Sequence, residues 1–369
     1  MVRSVPASVV AVPHRSIRRV AARGKVYPAG RLSLDMDISR SVRAIAGAAA
    51  PADGVIDWDA VAEAAKGGCE PGDLRMEPAE RAAIADDVRA ARDGLRDAAG
   101  VEFDLPGSIE VQHRHHWVDA NVDTFRRVLR PLDDTVTGGG VPGVARSLNT
   151  GTMAVTVAFL ARNVLGQYDP LLLAEADPTD HGLYFVRPNI REAAVELDVG
   201  YPRFRRWIAF HEVAHAAEFA AAPWLPGYLE DRLESGIASM TDESSLLELA
   251  GPGREGSAPI DSFADLNTAM TAVEGYAELL MDRAFDGEYD DLRAKLDARR
   301  RGGDPITNLF KRLLGFGMKR RQYERGAAFF SAVADRTDLR TASLVWERPE
   351  NLPSDAELDD PDAWIRRVA

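Results

Sequence analysis

Along most of the chain, apolar positions recur every three to four residues with polar positions between them, which predicts a mainly helical protein. From Met36 onward the pattern places helices at Asp57 to Lys66, Glu77 to Ala98, Trp117 to Leu129 and Val144 to Leu165. Pro202 opens a further helix in which Phe204, Ile208 and Phe219 share a face, and Pro223 closes it. Later helices are expected at about Asp265 to Phe285, Asp290 to Arg300, Thr307 to Leu314 and Lys319 to Ala334. Gly182 to Val186 is short, aromatic and β-branched, and therefore reads as a strand that Pro188 and Asn189 terminate. GQYDP after the fourth helix reads as a turn, and GPGREGSAPIDSFA over 251–264 as a loop long enough to serve as a flap. No repeat of 20 to 50 residues appears, so the expected class is mainly α (α+β) with a small sheet.

The 369 residues suffice for one large or two ordinary domains. Hydrophobic residues make up 46% and charged residues 28%, which excludes a disordered or fibrous chain. A single cysteine, Cys69, excludes a disulfide scaffold. Residues 1–34 carry seven of the 45 Lys and Arg and no Asp or Glu, leaving 38 against 58 in the remainder. A body that acidic repels phosphate backbones, so nucleic acid is not an expected partner. The basic leader lacks the order of a secretory signal and reads as a disordered extension over 1–35, with 36–369 as one unit. Within that unit, 36–169 forms a helical N-terminal part and 170–369 carries the chemistry. The longest apolar stretch, Met153 to Ala161, is far short of the roughly 20 residues a membrane span needs, so a soluble, cytoplasmic protein is expected.

That chemistry lies in the Pro202 helix, where residues 211 to 215 spell HEVAH, an HExxH sequence. Histidines four apart project from one helix face, so the rings of His211 and His215 can converge on one Zn²⁺. Glu212 sits about 100° round the axis, where it can act as general base without ligating the metal. With seven His and 23 Glu in the chain, an accidental match is roughly a 1% event. The competing reading is a pair of structural histidines packed in a core. No histidine follows His215, and Glu218 and Ala221 occupy the positions where the extended metzincin form needs Gly and His, so that class is excluded. The third ligand is then a downstream carboxylate. VEGYAELLMD puts Glu274 and Glu278 one turn apart on an apolar helix, with Glu274 as the expected ligand and Glu278 orienting a ligand histidine or staying solvated.

Taken with DWDAV, WVDAN, VLGQYDP, YFVRPNI, EGYAELLMD, KRRQYERG and the closing VWERPENLPSDAELDDPDAWIRRV, the HEVAH helix resembles the zincin-like metallopeptidases associated with deazaflavin-coenzyme biosynthesis in actinobacteria and archaea. The resemblance runs from about Val55 to the C-terminus. It implies a zincin-like core with a zinc bound by His211, His215 and Glu274, and Glu212 as base. It also implies an edge strand ahead of the active-site helix, a role that Gly182 to Val186 would fill by main-chain bonding to an extended substrate. The family usually shows EGHA where this chain has EGYA, so Tyr276 becomes a candidate hydrogen-bond donor to a developing oxyanion, or a core tyrosine. His181, just before the strand, is a second candidate donor. The expected activity is a zinc-dependent hydrolase of the Glu-ligand kind acting on a peptide or small amide. The alternative is a zinc-stabilised scaffold linked to coenzyme biosynthesis, an association that rests on gene co-occurrence.

Two further clusters are weaker. His113, His115 and His116 in QHRHHWV would form a second metal site if 113 and 115 shared one face of a strand. Nine basic residues between Arg299 and Arg325 could attract an acidic partner, a cofactor phosphate or nucleic acid, but a solvated pair of helices is the preferred reading.

Overall fold

The protein is described here from a computed structural model covering residues 54–100, 108–130, 143–169, 182–241, 263–285, 287–301 and 320–369, with Ile45 and Phe103 between them. The 1–35 extension, His181, the helix expected at Thr307 to Leu314, nearly all of the 251–264 loop and most of the basic 299–325 stretch lie outside these residues.

Helix α1 (Trp58–Gly67) starts where Asp57 accepts the N–H of Ala60, and α2 (Pro78–Ala99) runs from Pro78 to Gly100, whose left-handed backbone (φ 66°) ends it. Strand β1 (Ser108–Gln112) leads into α3 (Arg114–Val128), followed by α4 (Gly143–Asn163), β2 (Gly166–Asp169) and β3 (Gly182–Val186). Then come α5 (Arg187–Glu196), α6 (Tyr201–Ala221), α7 (Leu225–Thr241), α8 (Ala264–Phe285), α9 (Asp290–Arg301) and α10 (Arg320–Arg336). The C-terminal segment adds short α11 (Leu339–Ser343), three 3₁₀ turns and α12 (Pro361–Val368). Mostly helix with one small sheet, this is the expected α+β class.

Several boundaries differ from the periodicity for identifiable reasons. GQYDP is a strand where a turn was expected, because Gly166 to Asp169 pair antiparallel with β3. Gly182 to Val186 is a strand but not an edge, since β1 pairs with it in parallel on its other side and the order is β1-β3-β2. Its main-chain groups are therefore committed to neighbours, and β1 and β2 are the edges among the described residues. The strand ends before Pro188 as expected, but a helix follows it at once, with Pro188 in the first turn of α5, where a missing N–H costs nothing. QHRHH does not continue a strand either. Pairing ends at Gln112, and His113 caps α3 by accepting the N–H of His116 on Nδ1, so His115 and His116 are helical.

Around the motif helix the packing is tight. α6 contacts α2 on one side and α8 on another, and β2 lies against it. Arg205 of α6 bonds Asp87 of α2 at 2.6 Å, while Arg187 of α5 grips Glu80 through Nε and Nη2 at 2.8 and 2.9 Å. One cluster of buried apolar side chains runs from Ile56 to Trp364 and includes Phe204, Ile208, Phe210 and Val213 of α6. No described helix is long and apolar enough to cross a membrane.

Candidate metal centre

Helix periodicity sets the first half of the site: His211 and His215 stand one turn apart on α6, their rings edge to face at 4.7 Å. Neither ring is fully buried, and Trp207, one turn earlier, stacks parallel to His211 at 5.5 Å. The second half comes from α8, which crosses α6 and presents Glu274. Its Oε2 lies 4.0 Å from Nε2 of both His211 and His215. These three donors lie within 4.8 Å of one another and are the one such group among the described residues. Donors on a tetrahedral zinc ion, each about 2.0–2.1 Å from it, stand about 3.4 Å apart. The observed separations, 4.0 Å from Glu274 to each histidine and at most 4.8 Å within the group, therefore need to close by roughly 0.6–1.4 Å to hold one.

Glu212 stays out of this triangle. It is 6% exposed, and its Oε2 accepts the backbone N–H of Tyr168 in β2 at 3.0 Å. Room for the carboxylate exists because residue 166 is glycine: a Cβ there would lie 2.6 Å from Glu212 Cγ and Oε1. β2 is held in turn by side chains of α3, since Trp117 Nε1 donates to Gln167 Oε1 at 2.8 Å and Gln167 Nε2 to Asn121 Oδ1 at 3.0 Å. WVDAN and GQYDP are thus two halves of one support.

A residue with no assigned role in the sequence completes the arrangement. Glu218, one turn beyond His215 and 1% exposed, meets His215 Nδ1 through Oε2 at 2.9 Å, leaving Nε2 toward Glu274. The signal was present as HEVAHAAE, in which a glutamate three positions after the second histidine shares its face. The electrostatics follow from crowding carboxylates around buried imidazoles. Burial pushes Glu212 up to about 7, reinforced by the charge of Glu274 and opposed by His215 and the Tyr168 N–H. Burial likewise raises Glu218 to about 7 against its bond to His215. Burial works against a charge on His215, but the Glu218 bond and the fields of Glu274, Glu218 and Glu212 outweigh it and raise His215 to about 10. A cluster of this composition demands a cation, and the donor set of two imidazoles and a carboxylate suits zinc.

The other expected residues are placed elsewhere. Glu278 accepts from Arg293 at 3.2 Å and lines, with Trp207, a cavity of about 160 Å³. Tyr276 is 4% exposed, packs edge-on against Phe330 and Trp346, and bonds Ser343 Oγ at 2.7 Å. Its hydroxyl is thereby engaged inside the core. His113 stacks on His116 at 3.7 Å, and His115 Nε2 meets Cys69 O at 2.8 Å, so helix capping and packing account for this cluster. Burial pushes His113 down to about 4, helped by the neighbouring His116 and His115.

With this geometry in view, comparison with known proteins is decisive at the family level. A family model described as zincin-like metallopeptidase matches residues 56–365. The chain belongs to that family. No curated protein matches it. Among solved structures, this zincin-like chain is similar to one from Chloroflexus aurantiacus, whose description proposes a hydrolase with a novel fold. The two are 28% identical, the match covers 90% of this chain and 98% of that one, and the TM-score is 0.64. Membership implies a hydrolase dependent on a divalent metal, typically zinc.

Proposed function

We propose that this zincin-like protein is a zinc-dependent hydrolase cleaving an amide bond, with His211, His215 and Glu274 as the metal-holding residues and Glu212 as the general base. The observation that carries this reading is the division of labour among neighbouring carboxylates: Glu274 joins the histidine pair while Glu212 is drawn aside by Tyr168 N–H. Zinc bound there would supply Lewis acidity, polarising a carbonyl and lowering the pKa of water at the site to about 7. Glu212, shifted by burial to about 7, is poised to take a proton from the attacking water and deliver it to the leaving nitrogen. Glu218 holds His215 in the tautomer that directs Nε2 inward. β2 supplies the edge bordering the site, in place of the strand first expected, and suits an extended substrate bonded along its main chain. Three protein donors also favour catalysis over a zinc-stabilised scaffold, because a structural tetrahedral site closes with a fourth.

The test is metal content by plasma mass spectrometry on untagged protein, together with turnover of a peptide library. About one zinc per chain is expected for the parent. His215→Ala and Glu274→Ala should lose most of it, whereas Glu212→Gln should keep zinc and lose turnover. Hydrolysis by Glu212→Gln at the parent rate would remove Glu212 as the base.

A further inference from the structure

The groove between α6 and α8 continues past the metal donors. Trp207 stands one turn before His211 on α6 and Glu278 one turn after Glu274 on α8, so the pair forms the next layer, about 5.4 Å along. Together they line the cavity of about 160 Å³, whose wall also includes the apolar Met281, Phe285 and Leu296. Trp207 is the ring stacked on His211 at 5.5 Å, which ties this cavity to the metal centre. Four charged residues share the wall, Glu278, Asp282 and Asp290 against Arg293. Arg293 is spent on the first two, donating to Glu278 at 3.2 Å and pairing with Asp282. A guanidinium held between two carboxylates has little left for an anionic guest, and three carboxylates against one guanidinium leave the wall with two negative charges in excess. Charges beyond the wall do not cancel this excess: those acting on Tyr289 are Arg203 and Arg206 against Glu288 and Asp87, which balance. The carboxylates are within reach of a guest, since the side chains of Glu278 and Asp282 are 15% and 45% exposed.

We propose that this cavity receives the basic side chain of the substrate residue beside the scissile amide. The substrate role rests on the hydrolase reading; the preference of the cavity for a cation does not. An amide carbonyl at the metal sets the neighbouring side chain along the groove, and a long one spans the single turn to the cavity. Its aliphatic stem packs on Met281, Phe285 and Leu296, and its cation meets the carboxylates and the negative ring face of Trp207. The size is sufficient, because an apolar cavity of about 150 Å³ takes up benzene. The charge discriminates: an acidic side chain meets its own sign, and a short apolar one leaves the volume unfilled.

The probes are benzamidinium, benzamide and benzoate, one ring carrying a positive, a neutral and a negative group of similar size. Binding is followed through the indole N–H signals of the six tryptophans in ¹H–¹⁵N spectra of the full chain, with Trp207→Phe assigning the Trp207 signal. Benzamidinium should move that signal saturably with a dissociation constant of about 0.1–1 mM, and benzamide at least about tenfold more weakly. Benzoate should not move it below about 50 mM. In the double variant Glu278→Gln with Asp282→Asn the wall is neutral, so the preference for benzamidinium over benzamide should vanish, with the other indole signals in place to show that the chain is folded. His215→Ala removes a metal donor and no wall residue, and should leave the benzamidinium response unchanged. Equal binding of the three probes, a preference retained by the double variant, or a response lost in His215→Ala would each overturn the proposal. With peptides, the parent should cleave beside Arg or Lys at least about tenfold faster than beside Gln or Met, and cleavage without that preference would overturn the substrate role. Charge-ordered binding with no cleavage of any peptide would overturn the hydrolase reading, and the substrate role with it, while supporting the cation site.

Discussion

At the scale of single residues, the chain distributes four buried or half-buried glutamates among different tasks by giving each a different partner. Glu274 faces both histidines, Glu212 takes a backbone N–H from β2, Glu218 takes the far nitrogen of His215, and Glu278 takes Arg293. The raised His215 means that the metal-free centre holds a proton there up to about pH 10, and Glu212 and Glu218 hold theirs up to about 7. Zinc must displace protons, so its affinity should rise with pH, and calorimetry at pH 7 in buffers of different ionisation enthalpy should show proton release on binding. A binding enthalpy independent of the buffer would contradict this. Glu218→Ala should weaken zinc binding about 10–100-fold by freeing the orientation of His215, measured by competition with a chromophoric chelator.

At the scale of elements, glycines set how closely the supports approach. A Cβ at Gly275 would lie 2.3 Å from the Gly326 carbonyl carbon, and one at Gly326 would lie 2.3 Å from Thr271 O, so α8 and α10 cross with backbones nearly touching. The glycines of EGYA and YERG thus press α8 against α10 immediately beside Glu274. Gly275→Ala should cost about 1–3 kcal/mol, read from the urea midpoint, because two helices must separate to admit one methyl. Gly166→Ala acts differently. The intruding methyl meets the Glu212 side chain, so zinc content should stay near one per chain while turnover falls by about 10²-fold. Equal loss of metal and turnover would show that β2 holds the fold of the site and not the placement of its base.

For the whole molecule, buried arginines tie the α2 side to the helices that carry the site. Arg187 is 5% exposed and its guanidinium bonds both oxygens of Glu80, which also accepts from Tyr201. The Arg187 bonds hold the Glu80 carboxyl below its ordinary value, against partial burial and with help from Tyr201. A depressed folded pKa contributes stability above the unfolded value of about 4.5 and loses it as pH falls through the folded one. Glu80→Ala should therefore destabilise the protein by about 3 kcal/mol at neutral pH, leaving a buried arginine unpaired, and narrow its gap from the parent as urea melts are taken toward pH 3. What sequence alone determined is local: most helices, β3, and the HEVAH face, because a period of 3.6 residues fixes which side chains share a side whatever surrounds them. Glu274 could be selected only as the acid on an apolar helix, since nothing along the chain says which turn of α8 meets α6. The central place of β3, the strand in GQYDP, the helix after Pro188 and the hydroxyl partner of Tyr276 were likewise decided by tertiary structure. Pairing and crossing join residues far apart in the chain, and their free energy depends on the surfaces that meet, which no short stretch of sequence contains.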